Sequence, residues 1–347
     1  MKQIFFGSLL VLLFSFSYGQ DFHFSQYFSA PTSMNPAMTG VFNGNLRLTG
    51  NYRNQWQSVL PQYPFTTFSG SVELSGKSGD FNHVGGGLSV FSDKAGQAEV
   101  ATTNFSLSLA YNMALSTAQD YFLSTGLQVG MFQRSINYNN LTFGSQYVNN
   151  AFDPANPNFE NYGLSNVTFY DASLGILWYH INGKRHSQYA GMGIYHVNRP
   201  NQAFIDNNND KIYTRYAAHG GVQFKSSQNV DIMPMLLIMK QGPSTEINMG
   251  GLFKFILDER KTTSYGGTSF YVGPYYRVVG NSETGLGSDA MMLVTKLDYN
   301  DFTFGLSYDL NISGLIPASS GRGGPEFSIQ YITHFGNGKP KYFCPKF

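Results

Sequence analysis

The fold class is decided by a stretch near the end of the chain, Phe302-Thr303-Phe304-Gly305-Leu306-Ser307-Tyr308-Asp309-Leu310-Asn311-Ile312-Ser313, in which apolar residues alternate with small or polar ones. Residues 104–112 and 123–131 repeat this alternation. Successive side chains of a β-strand point to opposite faces of the sheet, so each stretch predicts a strand with one apolar and one polar face.

The composition distinguishes two all-β folds that share this alternation. A soluble β-sandwich carries Lys and Glu on its water-facing side, whereas the polar faces here consist mainly of Gly, Ser, Asn and Gln. Charged residues form only 12% of the 347-residue chain, where about 25% is usual, and aromatic residues form 16%. A sheltered, hydrated lumen accounts for such faces, so we predict an outer-membrane transmembrane antiparallel β-barrel.

The same composition excludes several other classes. The formal net charge of +1 offers no basic stripe, so we expect no nucleic-acid partner. One Cys excludes a disulfide framework and zinc sites built on cysteine pairs. Beyond the N-terminus there is no apolar run of ~18 residues, which excludes membrane-spanning helices.

The N-terminus predicts export. A positive start at Met1-Lys2 precedes the apolar core Ile4–Phe16 and the small-residue pattern Ser17-Tyr18-Gly19. This is typical of a secretory signal peptide, residues 1–19, cleaved before Gln20. The alternative, an N-terminal membrane anchor, requires a longer apolar run.

The alternation predicts about fourteen strands, with residues 20–43 as an N-terminal arm or plug, 44–335 as the barrel and 336–347 as a periplasmic tail. If both termini of the chain are periplasmic, the three longest connections face the exterior and the inward turns are short; these connections are Asn137–Asn166, Asn198–Asp210 and Ser313–Gly323. The predicted strands start near residues 44, 65, 82, 99, 119, 167, 187, 211, 229, 244, 265, 288, 301 and 324.

Two groups of residues are candidates for function. Arg47, Arg53, Arg215 and His219 are predicted to face the lumen, where they either coat a conduction path or form a satisfied polar network, and the network is favoured. The second group lies in the long external loops, where aromatic and Arg side chains suit contact with a protein partner, although they could also pack the loops or form an interfacial girdle. Its members are Tyr147, Phe152, Phe159, Tyr162, Arg199 and Phe204.

The remaining motifs predict no metal, cofactor or enzymatic activity. Asp206-Asn207-Asn208-Asn209-Asp210 begins like a calcium loop, but Lys211 and Ala217 occupy the positions that need Gly and Glu. Cys344 is a lone thiol near the terminus, and such thiols are usually inert, so we assign it no redox or metal role. No nucleophile elbow or spaced triad supports a hydrolase.

A series of short motifs in order along the mature chain resembles the PorP/SprF family of type IX secretion system membrane proteins. The series begins with Phe24-Ser25-Gln26-Tyr27 and Asn35-Pro36-Ala37-Met38-Thr39-Gly40. It continues with Asn51-Tyr52-Arg53-Asn54-Gln55-Trp56, Asp93-Lys94-Ala95-Gly96, Gln133-Arg134-Ser135-Ile136, Leu141-Thr142-Phe143-Gly144, Asn198-Arg199-Pro200-Asn201, Arg215-Tyr216, Lys240-Gln241-Gly242, Ser307-Tyr308-Asp309 and Cys344-Pro345-Lys346-Phe347.

The resemblance implies a barrel in the outer-membrane lipid that works with the type IX secretion machinery. It further implies a secreted surface protein as partner, an adhesin with a type B C-terminal domain, including those of gliding motility. The family brings no catalytic residues. A passive porin or hydrophobic-solute channel is the alternative that the strand pattern also allows, and an outer-membrane hydrolase is a third.

Overall fold

The computed structural model describes residues 21, 23–78, 82–118, 120–148, 150–158, 160, 162–183, 185–205, 209–258, 267–281 and 285–335. The predicted signal peptide 1–19 and the predicted tail 336–347 lie outside these residues. Within them, no helix is long and apolar enough to cross a membrane.

Fourteen antiparallel strands close into a barrel, which confirms the predicted fold class. Each strand pairs with its neighbour in the chain, except that β5 pairs with β8 and that β1 pairs with β16 to close the wall. The wall strands are β1 Leu46–Gln55, β2 Phe65–Ser78, β3 Asn82–Ala95, β4 Val100–Ala114, β5 Tyr121–Ser135, β8 Asn166–Ile181, β9 Ser187–Tyr195, β10 Arg215–Lys225, β11 Val230–Gln241, β12 Ser244–Asp258, β13 Thr268–Asn281, β14 Gly285–Tyr299, β15 Phe302–Asn311 and β16 Arg322–Thr333.

The other elements are short. A two-stranded hairpin, β6 Tyr147–Val148 and β7 Ala151–Phe152, lies in the connection between β5 and β8. One α-helical turn, α1 Pro31–Met34, lies between the 3-10 turns Tyr27–Ser29 and Pro36–Met38 ahead of the wall. Three further turns lie in loops: α2 Ile316–Ser319 and the 3-10 turns Tyr138–Asn140 and Gly144–Gln146.

The predicted strand starts agree with the structure to within a few residues. The largest difference is at β10, which was predicted from residue 211 and begins at Arg215. The backbone N–H of Ile212 instead donates to the carbonyl of Pro200, so this stretch belongs to the preceding loop. β14 begins earlier than predicted, at Gly285, and its pairing with β13 continues past a register shift at Arg277 and Val278.

The two ends of the barrel differ as predicted. Residues 136–165, 196–214 and 312–321 connect strands at one end, which we call the long-loop end, and the connections at the short-turn end are brief. Leu46 of β1 pairs with Thr333 of β16 at the short-turn end. In outer-membrane barrels the short turns face the periplasm, so we expect the long-loop end to face the cell exterior.

The wall has the two faces that the alternation predicts. Leu107 and Leu306 point outward and are 46% and 48% exposed, whereas Ser108 and Ser307 point inward and are each 1% exposed. The exposed apolar side chains form the surface that a bilayer covers.

The N-terminal segment His23–Asn43 lies inside the barrel and is almost entirely buried. It runs from the long-loop end, where Asp21 lies beside His196, to the short-turn end, where it continues into β1. Inward-facing glycines make room for it. A Cβ atom on Gly126 of β5 would overlap the backbone N of Ala37, and one on Gly85 of β3 would overlap the carbonyl oxygen of Thr39.

The lumen has a polar half and an apolar half. Inward residues of β1 to β5, such as Thr49, Ser71 and Ser106, are small and polar. Inward Met, Leu, Tyr and Val side chains of β11 to β14 pack with the N-terminal segment in one cluster, although the same strands also carry inward charged residues such as Lys254 and Arg277. On the segment this cluster includes Tyr27, Phe28, Met34, Met38 and Val41, and on the wall it includes Met233, Met235, Leu237, Leu252, Tyr271, Tyr275, Met292 and Val294.

Candidate functional site

The first group of candidate residues holds the N-terminal segment inside the lumen. Arg47 and Glu73 form a buried bidentate ion pair, with Nε to Oε1 at 3.0 Å and Nη2 to Oε2 at 2.6 Å. The guanidinium also donates to the carbonyls of Met38 and Val41, and Glu73 accepts the N–H of Gly40. This pair therefore fixes the end of the segment nearest the short turns. We call it the lower anchor.

Arg53 belongs to a second cluster, the middle anchor. Its Nη2 lies 2.8 Å from Oδ2 of Asp309, which also accepts from Arg277 at 2.9 Å. Glu326, fully buried, accepts the backbone N–H groups of Ser25 at 2.7 Å and Gln26 at 2.8 Å. Two backbone donors that no helix or strand satisfies thus find partners on the wall.

Arg215 belongs to the upper anchor, at the long-loop end. His196 Nε2 lies 2.7 Å from Oδ2 of Asp21, and Arg215 Nη1 lies 3.5 Å from the same oxygen. His196 Nδ1 lies 2.9 Å from Asp171. Burial alone lowers the pKa of His196, but the two carboxylates outweigh it and raise that pKa to about 9. Burial alone raises the pKa of Asp21, yet His196 and Arg215 outweigh it and hold that pKa well below its usual range.

His219, the fourth predicted lumen residue, contacts the centre of the segment. Its Nε2 lies 3.0 Å from Nδ2 of Asn35, which also donates to the carbonyl of Ile176. Ser124 Oγ donates to the carbonyl of Ala37 at 2.7 Å, and Tyr195 donates to that of Thr32 at 3.0 Å. All four predicted lumen residues are thus buried beside the segment.

Several anchor residues were not singled out from the sequence. Glu73, Asp171, Arg277, Asp309 and Glu326 all occupy inward positions of their strands. A charged residue on the polar face of an alternating strand was the available signal, and Asp309 lies within the very stretch that decides the fold. His196 follows β9 and carried no such signal.

The space left inside the lumen is small. A cavity of about 50 Å³ lies between the segment and the polar half, lined by residues that include Thr32, Ser71 and Ser106. A second, of about 110 Å³ near the short-turn end, is lined by Phe42, Lys296 and others. A third, of about 200 Å³ towards the long-loop end, is lined by His23, Arg277, Asp309 and others. Cavities of these sizes hold water molecules.

The second group of candidates lies on the long loops. Tyr147 and Phe152 face each other across the β6–β7 hairpin and are 61% and 47% exposed. Arg199 is exposed, with a positive φ of 44°. Phe159 lies outside the described residues.

Two other candidates of this group pack within the loops. The ring of Tyr162 stacks on Tyr138, with 4.7 Å between centroids. Phe204 is half-buried under the guanidinium of Arg134, and its carbonyl accepts the N–H of Leu164 at 2.6 Å. The hairpin and Arg199 are therefore open to a partner, whereas Phe204 and Tyr162, the latter still 38% exposed, also make contacts that join the loops.

The weaker motifs give no metal centre in the part of the chain that the structure describes. There, no group of three or more His, Cys, Asp or Glu side chains could hold a metal ion. Asp206, Asn207, Asn208 and Cys344 lie outside the described residues.

A closed barrel with an apolar outer surface and an occupied lumen defines an outer-membrane β-barrel protein. The family model described as type IX secretion system membrane protein PorP/SprF matches residues 16–331. The chain belongs to this family, as the motif series predicted, and is located in the outer membrane. No curated protein sequence matches the chain.

Among solved structures, the chain is similar to several outer-membrane barrels at low identity. BamA from Haemophilus ducreyi lacking POTRA domains 1–3 is 11% identical with a TM-score of 0.42, and the match covers 83% of this chain and 70% of that one. The monoaromatic hydrocarbon channel TodX, as its ΔS2 mutant, is 9% identical with a TM-score of 0.44, covering 89% and 94%. CdiB from Acinetobacter baumannii is 9% identical with a TM-score of 0.40, covering 83% and 60%.

Proposed function

We propose that this barrel anchors or helps to export a secreted surface protein at the long-loop end, and that it does not act as a passive channel. The partner that the family resemblance implies is an adhesin with a type B C-terminal domain. Such adhesins include those used in gliding motility. The proposal assigns no catalytic chemistry to the barrel.

The observation that carries the proposal is the occupied lumen. The N-terminal segment crosses the barrel and is held by the lower, middle and upper anchors, each of which joins it to different wall strands. Its apolar side chains also pack on β10 to β14, and full burial of one such side chain stabilises by about 1.5–3 kcal/mol. A lumen filled in this way supports an anchoring role more than solute passage.

The exposed loops supply the contact surface. Neither the lipid-covered wall nor the short turns can reach a protein outside the cell. The β6–β7 hairpin presents Tyr147, which combines a large apolar area with a hydroxyl group, and Phe152, which adds apolar area, and aromatic side chains are enriched at protein interfaces.

The test is to replace Asn150–Glu160 with a short Gly-Ser linker and to recover the tagged barrel from its native outer membrane. The wall should stay intact, because external loops tolerate change, and recovery of the surface protein should fall. A matched control replaces residues 57–62 in the β1–β2 loop with the same linker. Full recovery of the partner with a folded Asn150–Glu160 variant would contradict the assignment of the hairpin.

Conductance distinguishes the channel alternative. The purified barrel should be silent in planar bilayers, because the segment fills the lumen. Steady single-channel currents from the unmodified protein would favour the porin instead.

A further inference from the structure

The upper anchor is a binding seat for a carboxylate. Oδ2 of Asp21 lies 2.7 Å from Nε2 of His196 and 3.5 Å from Nη1 of Arg215. The backbone N–H of Asp21 donates to Oε1 of Gln241 at 2.8 Å. We call the position of this carboxylate the Asp21 seat.

Contacts that do not involve Asp21 hold both cations of the seat. Asp171 lies 2.9 Å from Nδ1 of His196. The guanidinium of Arg215 lies over the ring of Tyr195 at 4.2 Å and donates to the carbonyl of Ser33 at 3.1 Å. The seat would therefore keep its shape if the side chain of Asp21 moved away.

The positive charges of His196 and Arg215 favour an anion at the Asp21 seat. With His196 protonated, as its raised pKa predicts at neutral pH, the two cations balance the carboxylates of Asp21 and Asp171. Removal of Asp21 takes away the main cause of the raised pKa of His196, so it leaves either one excess positive charge or an imidazole that has lost its proton, and in both cases the Arg215 guanidinium loses this carboxylate. An unpaired buried charge is strongly unfavourable, so the vacated seat favours another carboxylate.

Asp21 is also more accessible than the two carboxylates that bind the N-terminal segment at the lower and middle anchors. Its side chain is 23% exposed, whereas those of Glu73 and Glu326 are fully buried. The seat adjoins the cavity of about 50 Å³ that is lined by Asp21, His196 and Arg215, among others. Exchange at this anchor therefore needs less movement than exchange at the other two.

We propose that the Asp21 seat binds a carboxylate of the secreted partner, with Asp21 as the resident competitor that leaves when the partner docks. The identity of the partner as a secreted protein rests on the proposed function, whereas the seat and its preference for a carboxylate rest on the contacts above. Acidic side chains and a free C-terminus share this chemistry.

The experiment measures binding of a fluorescent tripeptide, Gly-Ser-Asp with free carboxylates, to the purified full-length barrel in detergent. Its uncharged control is Gly-Ser-Asn with an amidated C-terminus. Asp21→Asn removes the competitor, so this variant should bind the acidic peptide about tenfold or more tightly than the unmodified protein. Asp21→Glu, which keeps the competitor, should behave like the unmodified protein.

Two double variants show whether the gained binding depends on the cations of the Asp21 seat. Arg215→Gln or His196→Gln, each added to Asp21→Asn, should remove the gained binding, with folding checked by β-sheet circular dichroism. Acidic peptides that carry only the side-chain carboxylate or only the C-terminal one distinguish the two sources. Binding of the amidated control as tightly as the acidic peptide would overturn the proposal, as would equal binding by Asp21→Asn and the unmodified protein.

Recovery of the partner from native membranes tests the second part of the proposal, that the carboxylate bound at the Asp21 seat belongs to the secreted protein. Asp21→Asn should raise the amount of surface protein recovered with the barrel, whereas a purely structural anchor would lower it or leave it unchanged. If free acetate displaces the peptide but partner recovery does not rise, the seat takes small anions only and the partner role is wrong. The peptide measurement stands whether or not the loops bind a secreted protein, so the two proposals fail separately.

Discussion

The lower anchor gives the most direct quantitative test of how the lumen is held. In the variant Glu73→Ala, Arg47 keeps its charge but loses both of its contacts to the carboxylate, at 3.0 and 2.6 Å, and Gly40 loses its acceptor. Both side chains are essentially buried, at 3% and 0% exposure, so water cannot replace the lost partner. Breaking a buried ion pair on one side costs about 3–5 kcal/mol.

A matched double variant separates the buried charge from the lost packing. Arg47→Met with Glu73→Leu removes both charges and keeps apolar volume, and such replacements are often nearly neutral. The carbonyls of Met38 and Val41 and the N–H of Gly40 still lose partners, so some loss remains. We expect the double variant to recover at least about 2 kcal/mol of the loss that Glu73→Ala causes.

The measurement is equilibrium unfolding of the barrel from bilayers in urea, followed by the fluorescence of Trp56 and Trp178, the two tryptophans of the chain. Protease sensitivity of the N-terminal segment is recorded in parallel, because local release can precede loss of the wall. A loss below about 1 kcal/mol for Glu73→Ala would refute the anchoring role. Equal losses for the single and double variants would show that the unpaired charge is not the cause.

Three further predictions concern the wall, the topology and the upper anchor. Leu107→Arg or Leu306→Arg should lower the free energy of unfolding by roughly 2–4 kcal/mol near the bilayer midplane, whereas Ser108→Asn and Ser307→Asn should be tolerated in the lumen; similar losses for both pairs would contradict the facing assignment. Single cysteines placed in residues 137–166 or 198–210 of a Cys344→Ser background should react with an impermeant thiol reagent on intact cells, and labelling only after the outer membrane is broken would invert the topology. The folded pKa of His196, about 9, lies above its usual value near 6.5, so its contribution to holding Asp21 is complete below about pH 6.5 and is lost as the pH rises through about 9. Hydrogen-exchange protection of the N-terminal segment, corrected for the intrinsic exchange rate of free amides at each pH, should therefore fall between pH 7 and 10, and the His196→Gln variant should lack this fall.

The wall could be predicted from the sequence because its signal is local. Leu306 and Ser307 are adjacent in the chain and point to opposite faces whatever the other strands do. The loop lengths follow directly from where the alternation stops. The predicted strand bounds are less accurate where a tertiary contact competes with the strand pattern. At Ile212 the N–H bonds to the carbonyl of Pro200 and does not extend β10.

The candidate site was only partly predictable. Parity along each strand indicated that Arg47, Arg53, Arg215 and His219 face the lumen, but it gave no partners for them. Tyr162 and Phe204 were predicted on composition either to contact a partner or to pack the loops, and in the structure both make contacts within the loops, which leaves their part in partner binding a prediction. Side-chain chemistry alone does not distinguish an aromatic that binds a partner from one that joins two loops.

The sequence by itself determined the strand pattern, the apolar outer face, the sheltered polar face and the family, because each of these depends on neighbouring residues or on ordered motifs. Only the tertiary structure decided what fills the lumen. The N–H of Ser25 bonds to Glu326 across 301 positions of the chain, and that contact exists only because β1 closes on β16. Closure brings inward residues from opposite sides of the barrel within hydrogen-bond distance of the N-terminal segment. The period of two along each strand carries no information about the distance between these residues and the segment.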